Sequence, residues 1–513
     1  MKLRNKEDVK KYFEQTGNTC MELSALRKNR NMQELINARQ LWTCNGMATT
    51  PYVMKVEKEI ARRVIELRDA IGHFPEVSYT AVESFIKEFE AKKSLELNCV
   101  FKLAPEQEEA VHKAANSQFF VLTGGPGTGK TCVLECITFI LRKMKPDARI
   151  RFTAPTGKAA RRITESTGEP AKTVQKQMSL TSETAKPLPI YGDCIVVDEV
   201  SMLDTLTADA FFVAVRDGMK VILVGDIDQL PSVGYGSVLR DLIESNEIPI
   251  TKLQAPQRQD SSSTLFANIT NLRFGQSELY EGDDFHMITN DGNNGQATLI
   301  SEYFSAVERW GIDNVCCLTP YRRKGMTCAN VVNDIIQKRV NDPDNVTHIT
   351  TTIIEDDGEI NEATQRQVTF CLGDPVIQLV NREEIANGDI GKITDVTMDG
   401  LTVAYDGGIT VSYKTEDLDQ LNLAYAMSIH KSQGSEYKCV ITLCLPEHER
   451  FMSRNLVYTA VTRAKKECVL IYDQATLAKG LTVEAGHMRV TLLRDFIEHE
   501  GRKAALLKAL KTA

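Results

Sequence analysis

No stretch of this sequence is apolar for long enough to cross a membrane as a helix, since none approaches the roughly 18 residues such a span needs. The opening segment, MKLRNKEDVKKYFEQ, is too charged for a secretory signal, so a soluble, cytoplasmic protein is expected. Thirteen cysteines are present, but none forms a C-x-x-C pair and none has histidine partners at zinc spacing. That argues against a metal site built from them and fits free thiols in a reducing compartment. Net positive charge is lacking as well: the formal charge is −8, so bulk electrostatics would not draw the chain to nucleic acid, and only a local basic cluster could do so. There is no internal repeat and no low-complexity tract. What is present is an ordinary globular composition, 42% hydrophobic and 25% charged over 513 residues, enough for about three domains.

The residues 124–131, GGPGTGKT, fill the pattern G-x-x-x-x-G-K-[ST]. The apolar run Phe119-Phe120-Val121-Leu122 enters the loop as a buried strand would, and Cys132-Val133-Leu134-Glu135-Cys136-Ile137 leaves it as a helix would. Phosphate chemistry asks for that layout. Backbone N–H groups along Gly125, Gly127, Thr128 and Gly129 can close around phosphate oxygens, and the helix start adds its positive dipole end. Lys130 would reach the outer phosphates of ATP, and the Thr131 hydroxyl would ligate Mg²⁺. Taken alone, the same letters would also fit a Gly-rich turn that carries a lysine.

Around this loop the chain divides. Residues 1–100 read as a helical accessory domain without visible chemistry. Residues 101–275 alternate strand-like and helix-like stretches, which implies a parallel sheet covered by helices, with ligands at the C-terminal strand ends. Residues 276–513 form a second alternating block; a helix is expected over 326–339 and another over 455–465. Inside that block, residues 376–418 change texture into short alternating strands with Asp399-Gly400 and Asp406-Gly407-Gly408 turns, the mark of a small inserted β-barrel. A charged amphipathic helix over about 487–511 closes the second domain.

Two further clusters carry chemistry. Cys194-Ile195-Val196-Val197 leads into Asp198-Glu199, a carboxylate pair at a strand end. Asp198 suits the Mg²⁺ shell and Glu199 the attacking water. After Val224, the segment Gly225-Asp226-Ile227-Asp228-Gln229-Leu230-Pro231 ends another strand, with Gln229 suited to sensing a γ-phosphate. Ten lysines and arginines lie between Arg142 and Lys176 against three acids. That is either a solvated helix face or an electrostatic footprint for a polyanion.

The motifs GGPGTGKT, APTGKAARR from Ala154, VDEVSM from Val197, GDIDQLPSVGYG from Gly225, NGDIG from Asn387, AYAMSIHKSQGSEY from Ala424 and YTAVTRAKK from Tyr458 stand in the order of the superfamily 1 helicase motifs. Their wording resembles the RecD-like branch, superfamily 1B, over roughly three quarters of the chain. The resemblance implies two RecA-like domains, an SH3-like barrel at residues 376–418, and a short pin insertion at about 176–193. It implies an ATP-dependent DNA helicase, an NTP hydrolase that moves 5′ to 3′ on single-stranded DNA with ATP and Mg²⁺, and ATP lying in a cleft between the domains. Carried over position by position, Gln107 would recognise the adenine edge, Arg258 and Arg463 would reach the γ-phosphate, and Glu436 would contact the ribose. Pro155, Thr156, Lys158 and Thr173 would touch the DNA strand from the first domain, and Thr319, Arg322, His430, Ser432 and Gln433 from the second. His430 is expected in a structural or coupling role, since Glu199 already serves as the base. The implied partners are single-stranded and tailed duplex DNA, with replication, repair or recombination proteins of no named identity, and no membrane.

The sequence departs from that family in places. Only about 100 residues precede the core, the pin is short and bears Pro187 and Pro189, and Gln175 and Gln257 stand where the family usually has a histidine and an aromatic residue. Two other readings follow: a DNA-stimulated ATPase that switches conformation in a regulatory or recombination complex without unwinding, and a motor whose track is RNA, because no residue is identifiable that reads a 2′-hydroxyl.

Overall fold

The computed structural model describes residues 5–26, 30–180, 186–254, 263–276, 278–355, 364–382, 385–485 and 488–512. Two compact units share the chain: Met1–Pro155, Ala159–Gln259 and Ala485–Ala513 form the first, and Thr156–Lys158 and Asp260–Glu484 the second.

The first unit is built on a six-stranded, wholly parallel sheet. Its spatial order is Ala171–Thr173, Ile150–Ala154, Cys194–Val197, Lys220–Gly225, Phe119–Gly124 and Ile250–Leu253. The three strands Phe119–Gly124, Cys194–Val197 and Lys220–Gly225 are buried along their whole length, which is why their sequences are continuous apolar runs and not alternating ones. Successive residues nevertheless serve different cores. Phe119, Val121, Ile195, Val197, Val221 and Leu223 join one cluster, while Phe120, Leu122, Cys194, Val196, Ile222 and Val224 join the other, as a period of two requires.

Helices cover both faces. The Pro51–Asp69 helix begins on a Thr50 cap with proline at its first turn, and buries Met54, Val56, Ile60, Val64 and Leu67 in the first cluster beside Phe211 and Phe212. Tyr79–Leu97, Pro105–Asn116 and Lys130–Met144 bury Val82, Phe89, Ala110, Val111, Val133 and Ile137 in the second. Residues 1–100 therefore do not stand apart as a helical accessory domain: two of their long helices complete opposite faces of this sheet. They also hold a small antiparallel sheet of Met21–Glu22, Met47–Thr49 and Trp42–Cys44. The C-terminal helix, Leu493–Thr512, differs from expectation too. Leu492, Leu493, Phe496 and Ile497 are buried against Pro51–Asp69, so this helix belongs to the first unit and not to the second block. Its amphipathic stripe announced a buried face but not which one.

The second unit carries a five-stranded parallel sheet in the order Phe285–Thr289, Ala464–Tyr472, Tyr437–Cys444, Val315–Thr319, Ala426–Ser428. Helices Gly295–Trp310 and Ala329–Val340 bury Leu299, Tyr303, Val332 and Ile336 against Val315, Ile441 and Val469. The helix expected over 455–465 ends at Val461, and Ala464 already starts an edge-adjacent strand. Between the strands lies an antiparallel five-stranded sheet ordered Ile409–Lys414, Gly400–Tyr405, Ile390–Thr397, Pro375–Gln378, Leu421–Leu423. Its buried centre is polar in part: the Tyr405 and Tyr413 hydroxyls are 2.7 Å apart, and Tyr413 donates to Gln378 Oε1 at 2.7 Å. A long hairpin, His348–Glu355 with Thr364–Cys371, precedes it and was not foreseen. Buried Asp374 ties this insertion to the parallel sheet, accepting from Asn341 Nδ2, the Tyr425 hydroxyl and the Cys371 N–H, each at 2.8 Å.

Candidate nucleotide and strand sites

In the first unit the functional side chains follow from strand ends. Phe119–Gly124 pairs with Lys220–Gly225, which pairs with Cys194–Val197, all parallel. The loops after these strands therefore leave from one edge, and they carry Lys130, Asp226 and Asp198. The phosphate loop shapes itself. Gly127 and Gly129 adopt left-handed φ values of 73° and 83°, which side chains with a Cβ resist. The Thr128 hydroxyl donates to the Gly125 carbonyl at 2.8 Å. Gln107, buried in the first turn of its helix, accepts from the Ala104 N–H and donates to the Thr128 carbonyl, both at 2.9 Å. The adenine-recognising candidate is thus fastened directly to the loop.

The Lys130–Met144 helix starts at Gly129 with no side-chain cap, so its first-turn N–H groups are donors suited to an anion. Lys130 Nζ donates to the carbonyls of Gly124 and Gly125 at 2.6 and 3.0 Å, and Thr131 is exposed. Asp198 is held by its own backbone, its N–H donating to Thr153 O at 2.9 Å, and its Oδ1 accepts from the Glu199 N–H at 2.8 Å. Burial first, and the neighbouring Glu199 charge second, push the Asp198 carboxyl up to about 6. Glu199 sits at φ 55°, a left-handed position costing a non-glycine residue about 1 kcal/mol. A hydroxyl and an adjacent carboxylate pair are hard oxygen donors of the kind Mg²⁺ takes, so the residues fit that ion. Asp226 organises the third loop: Oδ1 accepts from the Asp228 N–H at 3.0 Å and Oδ2 from Gln229 Nε2 at 3.4 Å.

The strand-contact candidates of this unit lie one strand further along. Pro155 follows Ile150–Ala154, and Thr173 caps a short helix by accepting from the Lys176 N–H at 3.1 Å. Where a pin is expected, Leu188 N–H donates to Met178 O at 2.9 Å; residues 181–185 lie outside the described residues. The basic stretch is less available than its composition implied. Arg142 pairs with Glu169 at 2.5 Å, Lys145 with Asp193 at 2.7 Å, and Lys143 with Glu88.

The second unit assembles its candidates from separated segments. Thr319 ends a strand and donates to Tyr321 O at 2.7 Å, and half-buried Arg322 accepts at its carbonyl from the Asn330 N–H at 3.1 Å. Thr156 and Lys158 group with this unit, and Lys158 Nζ lies 5.6 Å from the centre of the Tyr437 ring. His430 packs 5.6 Å from the Phe451 ring. Ser432 uses its hydroxyl on Ile429 O at 2.7 Å, and Gln433 is buried. Glu436 faces Lys465 at 3.0 Å. Arg463 is 3% exposed and donates to Thr459 O at 3.1 Å, Ser435 O at 3.3 Å and Thr462 Oγ1 at 3.1 Å. Arg258 and Gln257 lie outside the described residues.

Sequence reasoning passed over two connections. Lys431 Nζ donates to Asn387 Oδ1 at 2.8 Å, which joins the HKSQG and NGDIG segments; burial lowers the Lys431 pKa. Arg489 grips the loop that follows Gln229, and nothing in a single sequence marks that arginine. Among the described residues, no group of His, Cys, Asp and Glu resembles a further metal site, and no helix is long and apolar enough to cross a membrane.

Parts of the chain are similar to known proteins. Residues 102–293 match an AAA domain, and residues 423–471 match a UvrD-like helicase C-terminal domain. An ATP-dependent RecD2 DNA helicase from Deinococcus radiodurans is 29% identical over 500 residues, covering 96% of this chain and 62% of the relative. The chain thus spans less than two thirds of that protein's length. A RecBCD enzyme subunit RecD from Mycolicibacterium smegmatis is 29% identical, covering 77% of this chain and 76% of the relative. A solved Pif1 helicase from Bacteroides, in complex with ADP-AlF3 and ssDNA, aligns over 72% of this chain and 92% of its own at 19% identity and a TM-score of 0.46.

Proposed function

We propose that this RecD-like chain is an ATP- and Mg²⁺-dependent DNA helicase that moves 5′ to 3′ along single-stranded DNA. One observation carries the reading. A glycine loop, an uncapped helix start with Lys130, the Asp198–Glu199 pair and Asp226 with Gln229 all leave the same edge of one parallel sheet.

Lys130 and the first-turn N–H groups would hold the phosphates, and Mg²⁺ would rest on Thr131 and Asp198, neutralising charge on the outer phosphates. Because burial and the neighbouring Glu199 push the Asp198 carboxyl up, its proton has to leave before it can serve a cation, so binding of the ion strengthens as pH rises. Glu199 would take the proton of the attacking water. Gln107 would read the base, giving up one of its two amide bonds to do so. Arg463, supplied by the second unit, would stabilise the γ-phosphate during turnover, exchanging its bonds to Thr459 and Ser435 for that charge; Arg258 would act beside it. Glu436 would meet the ribose.

Pro155, Thr156, Lys158 and Thr173, with Thr319, Arg322, His430, Ser432 and Gln433, form the strand track in this reading. Hydroxyls, amides and a few cations suit a motor that ignores base sequence. The antiparallel sheet at residues 376–418 is read as an SH3-like barrel that guides the strand, consistent with the Lys431–Asn387 bond. The helices Pro51–Asp69 and Tyr79–Leu97 are read as bracing the nucleotide-binding sheet from its two faces. ATP hydrolysis in the presence and absence of single-stranded DNA tests the proposal: strong stimulation that vanishes in Lys130→Ala is expected, and full activity in that variant overturns it.

A further inference from the structure

The chain leaves the second unit at Glu484, and its last segment belongs to the first. Both ends of this return are tied down. At its start, Arg454 pairs with Glu484, and the Arg454 N–H donates to Val483 O at 2.7 Å. Arg454 also opens the Arg454–Val461 helix, which runs directly into Thr462 and Arg463. At its end, Arg489 Nη1 donates to Gly234 O at 2.9 Å, Gly236 O at 2.8 Å and Ser232 Oγ at 3.1 Å, and Nη2 donates to Ser232 O at 2.6 Å.

Those acceptors belong to the loop that begins at Gln229. The guanidinium bonds to carbonyls and a hydroxyl, with no carboxylate among these acceptors, so its work is to hold a backbone shape. The rest of the neighbourhood is built around it. A Cβ at Gly17 would stand 2.3 Å from Arg489 Nε, and Gly17 O accepts from the Gly236 N–H at 2.8 Å. Arg240 Nη2 donates to Arg489 O at 3.0 Å, and Val490 O accepts from the Thr19 N–H at 3.0 Å. Burial lowers the Arg489 pKa to about 10, so the side chain stays charged at neutral pH.

We propose that Arg489 is a positioning residue through which the return segment fixes residues 232–236 and, with them, Gln229, so that displacement of the second unit during turnover is felt at Gln229 through the covalent chain. The inference rests on the motor reading above. The five peptide steps from Glu484 to Arg489 can reach at most about 3.5 Å each, so a displacement longer than that reach has to be carried to Arg489. One of the tether's anchors begins the helix that leads into Arg463, and the other holds the loop that begins at Gln229. Gln229 and Arg463, the candidates for meeting the γ-phosphate, would thereby be linked through the covalent chain.

Two variants of the full chain test this: a flexible Gly-Ser insertion of about six residues after Ala485, and Arg489→Lys, which keeps the charge but loses the fork. ATPase kcat and KM are measured with and without single-stranded DNA, alongside the melting temperature. The insertion leaves every bonded side chain in place, so basal turnover and melting should hold while DNA-stimulated kcat falls roughly tenfold at constant KM for ATP. Arg489→Lys should lower the same quantity by about threefold. Full stimulation in both variants overturns the proposal, as does a parallel fall of basal rate, stimulated rate and melting temperature, which would mark a merely structural role. An unaltered chain that DNA does not stimulate overturns the motor reading, and this proposal with it.

Discussion

The first unit makes its phosphate cradle from consecutive residues, and the second gathers its candidates from distant ones. Gly125 to Thr131 supply loop, lysine and hydroxyl in one turn of chain, and the loop's hydrogen bonds are largely its own, from Thr128 to Gly125 and from Lys130 to Gly124. In the second unit, Thr319, Asn387, Lys431 and Arg463 come from separate segments, and the arginine is buried in bonds to Thr459 and Ser435. Lys130 has only to exchange bonds to carbonyls of its own loop, whereas the assembled site holds its charged group in reserve, buried in bonds to other segments that must break before it is used. The first should therefore be sensitive in binding and chemistry at once, and the second mainly in turnover.

The harshest test of that contrast is Lys130→Ala. Loss of a preorganised cation at the phosphate should cut steady-state ATP hydrolysis by at least roughly 10²-fold and weaken nucleotide binding in equilibrium titration; a change in turnover alone would erase the difference between the units. Glu199→Gln should lower kcat by roughly 10²- to 10⁴-fold while ATP still binds, because the phosphate cradle does not use that carboxylate. Arg463→Lys should reduce kcat by about 10²-fold or more with KM for ATP little changed. Arg463→Ala should add a stability loss of about 1–3 kcal/mol, because the Ser435 and Thr459 carbonyls lose a buried donor, readable as a lowered midpoint in urea. If Arg463→Lys weakens ATP binding as strongly as Lys130→Ala does, the reserve model is wrong.

The smallest effect separates stability from catalysis. Glu57 is wholly buried and accepts from the Thr19 hydroxyl at 2.7 Å, and burial raises its pKa from the usual 4.5 to about 8. A folded pKa above the unfolded one means that stability is complete below pH 4.5 and is lost as pH rises through 8. Glu57→Gln should abolish that slope and leave the folded state more stable near pH 8 by on the order of 4 kcal/mol, read as a higher melting temperature, with kcat for ATP unchanged. A wild-type melting curve flat from pH 5 to 9 would contradict it.

Legibility in the sequence follows the same division. The strand at Phe119–Gly124 and its loop were readable because a short apolar run and a fixed glycine spacing leave the backbone few alternatives. The apolar runs at Cys194–Val197 and before Gly225 were readable as strands for the same reason, whereas the three-residue strands Ala171–Thr173 and Ala426–Ser428 were too short to be read. The C-terminal helix was assigned to the wrong partner, since an amphipathic stripe reports that Phe496 and Ile497 are buried but not that Pro51–Asp69 covers them. The helix expected over 455–465 ran on too far because Ala464 to Tyr472 combine apolar residues with a lysine pair, a pattern that suits either element until Tyr437–Cys444 claims it as a strand partner. The basic cluster between Arg142 and Lys176 was legible as charge but not as availability, because Glu88 and Asp193, its partners, come from elsewhere in the chain. Arg489 was illegible altogether: its acceptors lie more than two hundred and fifty residues away.

The central claim is directional movement powered by this site, and unwinding of duplexes that carry a single-stranded tail on one strand tests it most directly. The account predicts ATP-dependent strand separation from a 5′ tail, none from a 3′ tail, and none with Lys130→Ala on either. Separation from the 3′ tail alone, or from neither tail while DNA-stimulated ATP hydrolysis persists, would contradict it.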